Sequence, residues 1–152
     1  HSWRGDRFVA PRSGDHATAP ESDSLIPFMP LLLGERLPAE IRQKLIAGLR
    51  RPGRLITPYG LATESPRSPL YQSDGYWRGP VWAPSTVLMA CALRDCGESA
   101  LAADIARRFA RTCTQSGLAE NFDALTGRGL CEPAHTWTAS GFLVLASDYA
   151  QA

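Results

Sequence analysis

Helical periodicity in this chain is interrupted by two long loops, residues 52–79 and 116–134, and each loop empties into the start of a strongly apolar helix. This alternation limits the fold more than any other feature. Pro38 stands where helices tend to begin, and Ile41, Leu45, Ile46 and Leu49 follow at helical spacing. Arg50 and Arg51 favour that helix's C-terminal end, and Pro52-Gly53 stops it. A second helix is expected from about Pro80 through Val87, Leu88, Ala90, Cys91 and Leu93 to a stop at Cys96-Gly97. A third, over residues 98–114, carries Leu101, Ile105 and Phe109 on one stripe, with Asp104, Arg107, Arg108 and Arg111 around the rest. The last, residues 136–150, is apolar on most sides and is expected to be buried. Residues 25–33 are apolar but broken by Pro27 and Pro30, and read as a short helix or a buried extended segment. Residues 1–24, rich in Gly, Pro, Ser and Asp, read as an irregular lead-in. The chain is therefore expected to be all-α, with four or five antiparallel helices and long loops that carry function.

In consecutive antiparallel helices every second connection lies at the same end, so loops 52–79 and 116–134 should meet at one face. The helices they feed begin there, with free N–H groups and partial positive charge. That geometry puts Trp77, Arg78 and Glu120 on a common rim. The formal net charge of +1 gives no broad field for nucleic acid or an anionic membrane. Lys44 is the sole lysine, so the many arginines read as base-composition bias rather than a phosphate-binding surface. No apolar run is long enough to span a bilayer. Of the four cysteines, Cys91, Cys96, Cys113 and Cys131, none forms a CxxC pair, and only Cys131 has a histidine near it, His135. They read as buried free thiols, with no metal site and no cofactor. The absence of a disulfide pattern points to the cytoplasm.

The chemistry concentrates in two motifs. Tyr76-Trp77-Arg78-Gly79-Pro80-Val81-Trp82 sets aromatics around a guanidinium, and Glu120-Asn121-Phe122-Asp123 places a carboxylate in a glycine-bounded loop. Flat aromatic faces beside a positioned carboxylate suit a sugar-processing pocket. Each residue also has a plainer reading. Glu120 could satisfy backbone donors in a turn, Trp82 could be a core anchor, and Arg78 could be a cation–π strut against Tyr76 and Trp77. Trp137 reads as packing for the last helix, and His135 as a helix-start residue or a support behind the reacting groups rather than an acid or base. Asp74 and Asp123 look like turn formers, the latter able to orient the Glu120 loop. Tyr59 and Glu64 are candidate rim contacts.

These two motifs, with Thr57-Pro58-Tyr59-Gly60-Leu61 before them and Thr136-Trp137-Thr138-Ala139 after, resemble the C-terminal part of the (α/α)6-barrel glycosidases. The nearest group is that of the processing α-glucosidases and mannosylglycerate hydrolases, with trehalases and glycogen-debranching-like proteins further off. Residues 25–150 share the resemblance, and residues 25–34 fit as well. It implies a single partial domain over 1–152, the C-terminal portion of an (α/α)6 toroid. It also implies inverting hydrolysis of an α-glucosidic or α-mannosidic bond, in which two carboxyl groups lie roughly 6.5–9.5 Å apart. On this likeness Glu120 is the general base, and Tyr76, Trp77, Arg78, Trp82 and Tyr59 contact an oligosaccharide or small glycoside. The general acid would be an aspartate upstream of these motifs. Asp6, Asp15 and Asp23 lack the aromatic surroundings expected of it, and four or five helices cannot close such a barrel. The remainder of the barrel is thus an expected partner, and the piece alone is expected to be inactive. Rival readings are a non-catalytic carbohydrate-binding or degenerate hydrolase module, and a helical protein-interaction domain. Terpene-cyclase-like or lanthionine-cyclase-like α/α barrels would need Asp-rich motifs or a Cys-Cys-His site, and neither is present.

Overall fold

The computed structural model describes residues 3–9 and 21–149, so Asp15 and most of the lead-in lie outside the described residues. Five helical segments occur among the described residues: a 3-10 helix over Ile26–Arg36, then α1 (Ala39–Leu49), α2 (Ala83–Asp95), α3 (Ser99–Ser116) and α4 (Thr136–Tyr149). The all-α expectation holds. The ambiguous apolar segment is the 3-10 helix: Pro30 inside it cannot donate an α-helical hydrogen bond, and Gly34 kinks it at φ 54. Its Phe28 and Leu31 are buried, and Gly48 of α1 lies against the Phe28 ring.

α2 is the central helix, packed against the 3-10 segment, α3 and α4. It begins at Ala83 rather than at Pro80 because Val81 is extended and paired on both sides. α2 and α3 are joined by a short turn through Gly97, and the amphipathic α3 buries Ile105, Phe109 and Cys113. Phe109 meets Phe122 edge-on at 5.9 Å, both fully buried, each ring worth about 1.5–3 kcal/mol of burial. α3 runs two residues beyond its expected end, to Ser116, and stops at Gly117.

The last helix departs from expectation. α4 buries Thr138, Gly141, Leu145 and Tyr149, but Leu143 is 66% and Val144 45% exposed. Its apolar surplus points outward. No helix among the described residues is long and apolar enough to cross a membrane.

Neither long loop is irregular throughout. The first contains a two-residue hairpin, β1 (Ile56–Thr57) with β2 (Gly60–Leu61), and the second another, β3 (Asn121–Phe122) with β4 (Gly129–Leu130). Val81 ties the two loops together. It bridges Ala62 of the first loop, and it exchanges both backbone hydrogen bonds with Phe122 of the second, at 2.7 and 3.0 Å. The loops therefore meet at one face, as the order of the helices implied.

Candidate active site

The aromatic motif is shaped by a loop closed on itself. Gln72 N donates to Arg78 O at 2.7 Å, Gly75 N to Gln72 O at 3.1 Å and Arg78 N to Gly75 O at 3.0 Å. Only glycine fits at position 79, because a Cβ there would stand 2.3 Å from the Gln72 carbonyl oxygen. Tyr76 adopts a left-handed backbone, φ 58, uncommon for a bulky residue. That turn brings its carbonyl to the Trp82 indole N–H at 2.8 Å and leaves its ring outside. Trp77 stacks on Trp82 at 4.3 Å and 11°, while Tyr76 meets Trp82 edge-on at 4.7 Å.

The three aromatics thereby take different roles. Tyr76 and Trp77 are 49% and 45% exposed and can receive a flat apolar sugar face. Trp82 has no exposed surface and is the floor beneath them, so of its two readings the packing one describes its position. Arg78 is exposed, with no side-chain partner among the described residues. Among the described residues it forms no cation–π strut, whereas Arg54 lies over the Phe28 ring at 4.9 Å.

Glu120 is held by its backbone. Its N–H donates to Glu132 O at 2.8 Å, and its carbonyl accepts from Trp137 Nε1 and Thr138 Oγ1, each at 3.3 Å. Thr138 Oγ1 also donates to Ala119 O at 2.7 Å, and His135 N to Leu118 O at 2.7 Å. The half-buried Glu120 carboxylate has no hydrogen-bond or ion-pair partner among the described residues. It is not a turn-capping group. Asp123 has that role: buried, it accepts from Leu125 N at 2.8 Å and Thr126 Oγ1 at 2.9 Å. Near it the buried Tyr71 hydroxyl feels the Asp123 charge without completing a hydrogen bond of normal geometry. Burial first, then that charge, push Tyr71 up to about 12.

Other expected residues sit elsewhere. The Tyr59 ring packs on Gly127, where a Cβ would lie 2.4 Å from Tyr59 Cδ1, so Tyr59 joins the two loops. Glu64 is no rim contact: it is 3% exposed and accepts from Ser22 Oγ at 2.7 Å and Asp23 N at 2.8 Å. Asp23 pairs with Arg54, while Asp6 is exposed. His135 does stand at a helix start, just before α4. The cysteines are free, but of the four only Cys113 is buried; Cys91 and Cys96 are half-buried and Cys131 is exposed. No cluster of three metal-ligating side chains occurs among the described residues. Thr138 was missed by sequence reasoning, since a threonine in an apolar helix carries no signal of what its hydroxyl meets.

Known proteins resemble this chain in sequence and in fold. The sequence profile of the mannosylglycerate hydrolase MGH1-like glycoside hydrolase domain matches residues 2–138. The chain is 33% identical over 113 residues to a mannosylglycerate hydrolase of Thermus thermophilus, covering 74% of this chain and 27% of that protein. It is 32% identical over 120 residues to a glucosylglycerate hydrolase of Mycolicibacterium hassiacum, covering 76% of this chain and 27% of that protein. Among solved structures, a mannosylglycerate hydrolase of Thermus thermophilus in complex with glucose superposes with a TM-score of 0.69 at 30% identity, over 86% of this chain and 32% of that one. The neutral trehalase Nth1 of Saccharomyces cerevisiae, at 24% identity and a TM-score of 0.71, shares the fold over 96% of this chain and 27% of its own. The chain thus spans 27–32% of the length of these relatives, and its five helical segments match part of their (α/α)6 barrels. It belongs to the family of mannosylglycerate hydrolase MGH1-like glycoside hydrolases.

Proposed function

We propose that this chain forms part of an inverting glycoside hydrolase acting on an α-mannoside or α-glucoside, with Glu120 as the general base. The observation that carries the reading is the Glu120 carboxylate: unpaired among the described residues, on a backbone held by Thr138 and by Trp137, whose ring meets the Trp82 floor under Trp77. A general base needs a free lone pair at a fixed position, and an aromatic wall is a surface on which a sugar ring binds. In the reaction, Glu120 takes a proton from water as the water oxygen bonds to the anomeric carbon. The bond from that carbon to the leaving oxygen breaks, and a carboxylic acid on the opposite side protonates that oxygen.

Tyr76 and Trp77 would receive the sugar. Arg78, with a free guanidinium fork, would bind hydroxyls or a carboxylate on the aglycone. The relatives named for mannosylglycerate and glucosylglycerate, and one solved in complex with Tris and D-glycerate, make a small anionic aglycone the favoured substrate class. The general acid would come from the remainder of the barrel, and the exposed Leu143 and Val144 of α4 offer an apolar seam for it.

The test follows cleavage of mannosylglycerate and glucosylglycerate by proton NMR, with the chain joined to the rest of its barrel. Early release of the β-anomer, lost in Glu120→Gln, is the expected result. Undiminished turnover in Glu120→Gln refutes the assignment. Sugar binding without turnover in either protein moves the reading to a non-catalytic binding module.

A further inference from the structure

The first turn of α4 holds the peptides on both sides of the Glu120 α-carbon. Thr138 Oγ1, on a fully buried residue, reaches the Ala119 carbonyl at 2.7 Å and the Glu120 carbonyl at 3.3 Å. Trp137 Nε1 donates to the same Glu120 carbonyl at 3.3 Å. The Trp137 ring does not end there. It meets the Trp82 ring edge-on with centroids 5.2 Å apart, and Trp82 is stacked against Trp77 at 4.3 Å. Trp82 is itself immobilised, wholly buried with its N–H on the Tyr76 carbonyl. One continuous set of ring contacts therefore runs from the exposed Trp77, through Trp82 and Trp137, to the backbone of Glu120.

We propose that Trp137 and Thr138 are positioning residues for Glu120, and that the Trp77–Trp82–Trp137 ring contacts fix the Glu120 backbone, and so the origin of its side chain, relative to the wall that receives the sugar. The inference rests on the reading of Glu120 as general base. Its physical basis is tolerance. A catalytic group must be held to within about half an ångström, and misplacement by roughly an ångström costs on the order of a hundredfold in rate. The Glu120 side chain has no partner among the described residues to hold it, so what the fold fixes is the point and direction from which it leaves the backbone, and these are set by its peptides. Those peptides are set by Glu132 on the amide side and by Thr138 and Trp137 on the carbonyl side. A tryptophan that only packs would leave kcat and KM alone once a ring of similar bulk replaced it.

Trp137→Phe keeps a ring and removes the N–H, Thr138→Val keeps the shape and removes the hydroxyl, and Thr138→Ser restores it. In the complete enzyme, with mannosylglycerate and glucosylglycerate as substrates, Trp137→Phe and Thr138→Val are each expected to lower kcat about tenfold. KM is expected to stay within about twofold of wild type, and Thr138→Ser to recover kcat. Near-ultraviolet circular dichroism of the complete enzyme reports whether the aromatic packing persists in each variant. Unchanged kcat in both variants, with Glu120→Gln inactive, overturns the positioning role and leaves the base reading intact. A raised KM at constant kcat overturns it too, assigning Trp137 to substrate binding. Wild-type turnover in Glu120→Gln removes the general base, and the positioning proposal with it.

Discussion

Replacing Gly79 by alanine attacks the closure of the aromatic loop directly. The added Cβ would stand 2.3 Å from the Gln72 carbonyl oxygen and 2.8 Å from Tyr71 Cε2, so the carbonyl must retreat by roughly an ångström. It is not free to do so. The Gln72 carbonyl accepts from Gly75 N at 3.1 Å, and the Gln72 N–H donates to Arg78 O at 2.7 Å. On the other side of position 79, its N–H donates to Thr63 Oγ1 at 3.2 Å and its carbonyl accepts from Thr63 N at 3.3 Å. Losing two of these bonds at about 1 kcal/mol each, with partial burial of the freed groups, gives a destabilisation of about 2–4 kcal/mol. Against a typical total of about 5–15 kcal/mol this lowers the urea midpoint by roughly 1–2 M. Gly97→Ala is the control: φ is +82 there and nothing lies within 4 Å of the added Cβ, so it measures left-handed backbone strain alone, about 1 kcal/mol. The assay is urea unfolding followed by tryptophan fluorescence. A Gly79→Ala midpoint no lower than that of Gly97→Ala would refute the steric argument.

Two further predictions concern titration. Tyr71 should ionise near 12 in the folded chain, against about 10 when unfolded. Its contribution to stability is therefore complete below pH 10 and is lost as pH rises through 12; tyrosinate absorbance should show a late step that Tyr71→Phe removes, and a native titration finished near 10 refutes it. The thiols should separate by exposure: Cys131 reacts first with a disulfide reagent, while Cys113, buried and pushed up to about 12, waits for unfolding. Loss of the fast phase in Cys131→Ser confirms the assignment, and a fast phase that survives refutes it.

The helices were legible because proline, glycine and the 3.6-residue period mark them, and their order was enough to bring the two loops to one face. The hairpins were not legible, since two-residue strands such as Ile56–Thr57 carry no alternation to read. Pro80 looked like a helix start because nothing local reveals that Val81 would pair with Ala62 and Phe122. Glu64 was misread for a related reason: a carboxylate in a loop signals solvent, and its two donors come from residues 22 and 23, some forty positions away. Trp77 and Trp82 are five positions apart in one motif, and only the backbone reversal at Tyr76 decides which is wall and which is floor. The outward face of α4 was misjudged because composition gives how apolar a helix is and not how much of its surface this chain can cover.

Val81 separates what can vary from what cannot. It joins the two loops through its backbone groups, its buried side chain packs on Gly60, and it lies directly before Trp82 and opposite Phe122. Residues 66–74 form turns upstream of that junction, and residues 124–128 turn between the two strands of the second hairpin. Exposed positions such as Ser73, Asp74 and Leu125 can change without touching that junction, whereas Gln72 and Gly127 cannot, because the aromatic loop closes on the first and the Tyr59 ring packs on the second.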